Sequence, residues 1–522
     1  MVKLSTTTSL VNNNFGGIRR KDAYFSDEKI TCSDCQNVEL FYTELNSGVG
    51  IRTTSGNTKV TSLIPEDEEV INMFESIQDG NNYFFVYTES ETKGRIYNLD
   101  IKNETLNLIV DNLSVTGNAC GVDFTQGWLD MFVFSNGINV KYIYTNTETH
   151  SSLTVESDSN IVLKDPDNRA VSGLGLVNFD NRIWLFKNNV LWYSQQAECR
   201  NFQYNDTSSI TSAGYIEFVK PITAICPYLG SLAVFHKDSS VLVTVDSTTG
   251  FAKEDESPGG CASYDSLVFH GTDLYFYDDT KKGVFSFKQI INGDKTLGDN
   301  IALDIQDELL GIKSGDVNKI KTLSVITSDR NEIWFLIPIS TNEEFSYIMI
   351  YDYLRGEWVK RKSQHINCVS VVDSVLYSGG KQVYQEYNGK DFDGTFIESY
   401  YKCTSLNLGS DNTMKMTKFP PRLTINTDYI CNFGVQYIKN YKQLRTPKVK
   451  KIKAKTIRAI LYYDSGQTYD SEYIYASDTI NSILKLPSIS FKTLEITLFT
   501  EKSGEAFAIE AIEFNKIKVK QV

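Results

Sequence analysis

Apolar and aromatic residues along this chain fall in short runs, and the runs come in pairs separated by a turn of Asn, Asp, Gly or Ser. The clearest pairs are NNYFFVYTESETKGRIYNLDI from Asn81, WLDMFVFSNGINVKYIY from Trp128, NRIWLFKNNVLWYS from Asn181 and SLAVFHKDSSVLVTV from Ser231. TDLYFYDDTKKGVFSF from Thr272, NEIWFLIPISTNEEFSYIMIYD from Asn331 and SVLYSGGKQVYQEY from Ser374 continue the series. Runs this short, bounded by turn residues, predict β-hairpins. With Tyr83, Trp128, Ile183, Leu232, Leu274, Ile333 and Val375 as equivalent anchors, the spacing averages roughly 50 residues, the length of a four-stranded propeller blade. An isolated hairpin is marginal in water, whereas blades stacked about an axis bury both faces of each sheet. The pattern predicts an all-β chain in which residues 66–394 form a β-propeller of about six to eight blades. A pair of β-sandwiches with similar turn spacing is the alternative.

Three stretches depart from this texture. Residues 1–65 are polar and rich in Asn, Thr and Gly, with few apolar clusters, which predicts an extended N-terminal arm lying on something else, with a loosely ordered terminus as the alternative. GDNIALDIQDELLGIK places Ile301, Ile305 and Leu309 four apart, with Asp299 or Asn300 as cap and Gly311 as stop, which predicts a short helix. Residues 395–522 carry alternating strands such as FKTLEITLF and AFAIEAIEFNKIKVKQV, which predict a C-terminal β-sandwich.

Composition sharpens the picture in three ways. Tyr 30 and Phe 29 against Pro 10 tilt the chain toward strands. A formal net charge of -13 argues against an overall grip on nucleic acid. Nine cysteines without framework spacing fit reduced thiols, and no membrane span or signal peptide is legible, so folding in a cytoplasm is expected.

Candidate chemistry is sparse. Cys32 and Cys35 form a single CxxC pair without partners at zinc spacing, and free thiols are expected there. His150, His236, His270 and His365 lie far apart and read as strand-edge residues. Asp391 and Asp393 before Gly394 read as a turn and not a calcium loop. Glu66, Asp67, Glu68 and Glu69 read as a helix cap or a solvated loop. No phosphate loop, nucleophile elbow or H-E-x-x-H motif occurs, and neither a cofactor nor an enzymatic activity is expected. A glycoside hydrolase with carboxylates from distant blades is the enzymatic alternative. A glycan-binding propeller exposing Tyr275 and Tyr277 is the binding alternative.

One charge feature stands out. YIKNYKQLRTPKVKKIKAKTIRA from Tyr437 carries nine Lys and Arg and no acid. Within it Lys439, Lys442, Lys451, Lys453 and Lys455 are the candidate subunit-interface residues, and a solvated edge strand or a phosphate contact are the competing readings.

The order of these pieces resembles the propeller proteins of phage tails, the hub, nozzle or tail-stabilisation proteins of short-tailed phages. The opening NNNFGGIRRKDAYFSDEKITCSDCQNVELFYTELNSGVGIRTTSGN is similar to theirs in its Gly16-Gly17, its Asn37-Val38-Glu39 and its Arg52. NRIWLFKNNVLWYSQQAECRNF, CASYDSLVFHGTDLYFYDDTKKGVFSF, the stretch around IQDELLGI and MIYDYLRGEWVKR resemble their later segments in the same order. The resemblance implies a structural virion protein that forms a cyclic homo-oligomer, a hexameric ring around the tail channel. It would dock on the portal-adaptor ring and other tail proteins, and genome DNA would pass without specific binding. It implies no catalytic residues. The arm and the C-terminal sandwich are then expected to join the subunits.

Overall fold

The computed structural model describes residues 6–19, 29–43, 48–61, 63–78, 80–127, 129–146, 153–207, 209–246, 250–292, 296–313, 315–338, 345–405, 413–417, 422–426, 432–439, 448–453, 460–461, 474–475, 482–485, 490–491 and 493–521. Within these the chain is all-β, built from many small antiparallel sheets and two larger ones. It divides into two compact units, one of Asn57–Ile348 and Ser363–Asn388, the other of Met1–Gly56, Met349–Lys362 and Gly389–Val522. Among the described residues no helix is long and apolar enough to cross a membrane.

Seven small sheets follow one another along the first unit among the described residues, and the main strands of the first six lie in chain order. Their first strands are Glu69–Gln78, Cys120–Gln126, Leu174–Phe179, Ala224–Tyr228, Leu267–His270, Lys321–Ile326 and Ile366–Val372. The sixth sheet adds Asn331–Ile337, Phe345–Asp352 and Glu357–Gln364, and its last two strands continue into the other unit. The seventh takes its fourth strand from the start of the unit: Asn57–Thr61 pairs antiparallel with Val383–Glu386.

The apolar runs owe their continuity to packing on both faces. Phe84, Phe85, Val86 and Tyr87 are all buried, as are Ile183 to Phe186 and Leu274 to Tyr277, where a strand with one solvated face would alternate. The clusters lie between consecutive sheets: Phe85 of the first stacks on Phe132 of the second at 4.6 Å, and Phe235 of the fourth meets Phe276 of the fifth at 5.2 Å. Another cluster joins Cys368 and Tyr377 of the last sheet to Val70 and Phe84 of the first. Hairpins turn where the sequence supplies left-handed residues, as at Asp180 (φ 54) and Asn181 (φ 55), the pair a type I′ turn needs.

The expected helix forms as a 3-10 turn, Leu303–Ile305, running into Gln306–Leu310. Ile305 and Leu309 are buried, and the Asn300 side chain accepts the N–H groups of Ala302 and Val284 at 2.9 and 3.0 Å. Gly311 ends it at φ -71, so a hydrogen-bonded turn and not a left-handed cap stops the helix.

The second unit holds a six-stranded and an eight-stranded sheet. Here the structure departs from the arm read from the sequence. Ile30–Gln36 pairs with Tyr400–Cys403, and Val49–Thr53 pairs with Ala508–Gln521, so residues 6–53 supply strands to sheets shared with the C-terminal region. Buried polar groups replace the missing apolar ones. The carboxylate of Glu357 accepts the N–H of Gly17 at 2.8 Å and pairs with Arg19 at 3.1 Å and with Lys29. Gly17 is required by close approach, because a Cβ there would stand 2.2 Å from the Trp358 carbonyl oxygen. The Asn37-Val38-Glu39 phrase has a physical role as well. Buried Glu39 pairs with Arg52 at 3.0 Å and accepts from Thr54 at 2.6 Å, while Asn37, at φ 54, accepts the N–H of Lys362 at 2.8 Å.

Candidate functional site

Side-chain bridges between first strands define two ends of the first unit. Asn72 donates to the Ala119 carbonyl at 2.8 Å near the starts of two first strands, and Ser76 donates to Asp123 at 2.7 Å farther along both. Asn367 donates to the Val70 carbonyl at 3.0 Å, and the N–H of Asp373 donates to Glu75 at 2.8 Å. Thr322 donates to the Asp265 carbonyl at 2.9 Å, and His270 bonds Ser324 at 2.8 Å. Start meets start and end meets end in every pair, so these strands run the same way. Consecutive first strands are neighbours except that the fourth meets the turn Tyr264–Ser266 just before the fifth, and the last, Ile366–Val372, lies beside the first, Glu69–Gln78.

At the starting end the bridges reach past adjacent sheets. Tyr264, just before the fifth sheet, exchanges hydrogen bonds of 3.2 Å with both backbone groups of Ala119, just before the second. Its ring packs against three separate inter-sheet clusters. Lys321 of the sixth sheet donates to the Ile71 carbonyl of the first at 2.8 Å. Burial raises the Asp265 carboxyl above the usual carboxylate range, and the Lys321 ammonium pulls the other way. Sequence reasoning missed Tyr264, Asp265 and Lys321, since no local pattern marks residues that meet only across seven sheets.

The other end carries the first hairpin turns. Ile77, Leu229, Phe269 and Ile326 are exposed there, with Asp329 and Asp373 in the adjoining turns. Arg182, which opens the strand after the third of these turns, is buried and donates to the carbonyls of Ser194 and Ser212 at 2.7 and 2.8 Å. Arg330 pairs with Glu332 at 3.1 Å.

Of the candidate interface lysines, Lys439 ends the strand Asn432–Lys439, and Lys451 and Lys453 lie on Lys448–Lys453, opposite Gly434 and Asn432. Lys448–Lys453 ends the six-stranded sheet among the described residues. Lys442 and Lys455 lie outside the described residues, as do Trp128 and His150.

Tyr275 and Tyr277, expected at an exposed aromatic face, are buried, because both faces of their strand are covered by neighbouring sheets. His236 bonds the Pro221 carbonyl at 2.9 Å, His270 is held by Ser324 and Asn331, and His365 bonds Asn367 at 2.9 Å. Burial lowers the pKa of His270. Glu68 is buried too and not a solvated loop residue, since it pairs with Arg95 and accepts from Thr88 and Tyr97. Cys32 and Cys35 are buried, with Cys403 across from Cys32 in the next strand, and burial drives the Cys32 thiol well above its usual value. Among the described residues no group of three or more His, Cys, Asp or Glu could hold a metal ion. Asp391 accepts the N–H of Gly394 at 2.9 Å, which makes the Asp391–Gly394 segment a turn.

No protein-family model matches the chain, and no curated protein does. Among solved structures, Raptor from Chaetomium thermophilum is similar over 64% of this chain at 8% identity and a TM-score of 0.38. The chain spans 30% of the length of that protein.

Proposed function

We propose that the chain is a non-enzymatic virion protein of a phage tail, in which the seven sheets are the blades of a β-propeller and the second unit a β-sandwich. Copies form a ring around the DNA channel, docked on the portal-adaptor ring. One observation carries the propeller: Asn57–Thr61 enters from the start of the unit to complete the sheet formed last, so that sheet joins two distant parts of the chain. Such closure leaves only short edges and gives a stiff body that needs no partner to fold. The order of sequence phrases supports the tail assignment, and the net charge of -13 supports a surface past which phosphates slide.

A stiff, closed unit suits a spacer that bears load, with specificity placed at its surface. The test is to purify particles of the parent phage, quantify each protein by mass spectrometry and average tail images. The expected result is a fixed copy number matching a rotationally symmetric ring at the tail. Absence from purified particles would overturn the proposal.

A further inference from the structure

The turn end of the first unit joins two properties that rarely coincide without a partner. Ile77, Leu229, Phe269 and Ile326 come from four different sheets, all at the same end of their first strands, and are exposed by 61%, 80%, 49% and 52%. Several large apolar side chains left exposed at one end of a fold make that end a candidate interaction surface. The adjoining turns contribute Asp180, Asp329 and Asp373, the last two exposed, against two arginines: Arg182, held by backbone carbonyls and 3.5 Å from Asp180, and Arg330, paired with Glu332 at 3.1 Å and 4.0 Å from Asp329. The surface is thus apolar and acidic. Its complement is an apolar and strongly basic element.

The same chain carries one. From Tyr437 to Ala459 the sequence has nine Lys and Arg and no acid, interleaved with Tyr, Leu, Val and Ile. Its strand Lys448–Lys453 ends its sheet among the described residues. We propose that the turn end of one copy receives the basic strand of a second copy. Two different patches on one chain give a head-to-tail contact, which closes into a ring when its rotation allows. The inference rests on the ring proposed above and names its contact. Nucleic acid is the weaker occupant for the basic strand, because a chain of net charge -13 repels a duplex approaching any other part of it.

The test uses full-length chains, with far-UV circular dichroism to verify folding and sedimentation velocity across salt and protein concentration to measure self-association. Asp329→Lys with Asp373→Lys, and separately Lys451→Glu with Lys453→Glu, should each raise the dissociation constant at least about tenfold, as expected for loss of close interfacial charge pairs. All four substitutions in one chain should restore association, an outcome that simple misfolding does not produce. Phe269→Asp should weaken association at every salt concentration, and Lys59→Glu, on an exposed position of the closing strand, should not. Self-association that ignores all these changes overturns the contact and leaves the ring standing. A chain that stays monomeric throughout overturns the ring, and the contact with it. Salt-sensitive DNA binding lost in Lys451→Glu/Lys453→Glu while self-association persists assigns the basic strand to nucleic acid and overturns the contact.

Discussion

Replacing Asn57 by Leu should open the seventh sheet selectively. Asn57 is fully buried and its side-chain amide donates to Glu386 at 2.9 Å, its direct partner across the closing strand pair. Glu386 is also buried and keeps Ser378 as a donor at 2.6 Å, so the substitution removes one charge-assisted bond and does not orphan the carboxylate. A hydrogen bond to a charged group is worth about 1.5 to 3 kcal/mol. At room temperature that multiplies the open population by roughly ten to 150, which amide exchange reads directly when opening is faster than labelling. Amides of Val383–Glu386 and Asn57–Thr61 should therefore exchange faster by that factor, while those of Ile183 to Phe186 in the third sheet should not change. Thr58→Val on the same strand is the control, since Thr58 is exposed and its bond to the Asn388 carbonyl is long at 3.3 Å. Equal exchange in Asn57→Leu and wild type, or acceleration spread evenly over all seven sheets, would refute the view that this strand closes the unit.

Three further outcomes follow from buried groups. Burial would raise Glu156, but hydrogen bonds from Tyr144, Asn160, Arg200 and the Ser157 N–H hold it at about 2 against an ordinary 4.5. Its contribution, at most about 3 kcal/mol, is complete above the ordinary value and lost as pH falls toward the folded one; Arg200→Met should move the acid-unfolding midpoint upward, checked by fluorescence titration. Arg182→Met leaves the Ser194 and Ser212 carbonyls without their donor and should cost about 3 kcal/mol, with new protease cleavage between Gln195 and Ala213; Arg182→Lys should not rescue it, because one ammonium cannot span the fork. Burial pushes the thiols of Cys120, Cys226, Cys261, Cys368 and Cys403 up to about 12, so thiol titration near neutral pH should find most of the nine cysteines unreactive until the protein is denatured. Rapid native reaction of several thiols would contradict their burial.

The second strand of each small sheet was legible because it is buried on both faces. NYFFVY, IWLF and YFY can be read as strands without any alternation. The first strands were harder. Glu69–Gln78 mixes buried Val70, Met73 and Ser76 with half-buried Asn72 and Phe74, a pattern set by neighbouring sheets and not by one solvated side. The segment of residues 1–65 misled for a related reason. Its strands are secured by charge and backbone approach, with Glu357, Glu39, Gly17 and Asn37 doing what Leu or Val does elsewhere; Glu39 finds its partners close by in Arg52 and Thr54, but those of Gly17 and Asn37 lie more than 300 positions away. The exposed tyrosines failed similarly, since a strand ending in YFYD looks one-sided until a second sheet covers its other face.

That correction changes where a ring contact can sit. A free arm can join a neighbour only if its hydrogen bonds are open to that neighbour, and in this chain they are made at home. Ile30–Gln36 is hydrogen-bonded on both sides, to Phe15–Ile18 and to Tyr400–Cys403, and Val49–Thr53 lies between Val38–Tyr42 and Ala508–Gln521. Releasing either strand would cost its ladder bonds and expose Ile51 and Cys32, which are fully buried. Ordering a chain segment costs about 1 to 2 kcal/mol per residue, and here the fold has already met that cost within one molecule. A contact between copies then has to use surface left over after folding. The turn end exposes apolar and acidic residues and the strand Lys448–Lys453 is basic in sequence, so the contact proposed between them joins opposite charges and asks no strand of either copy to leave its sheet.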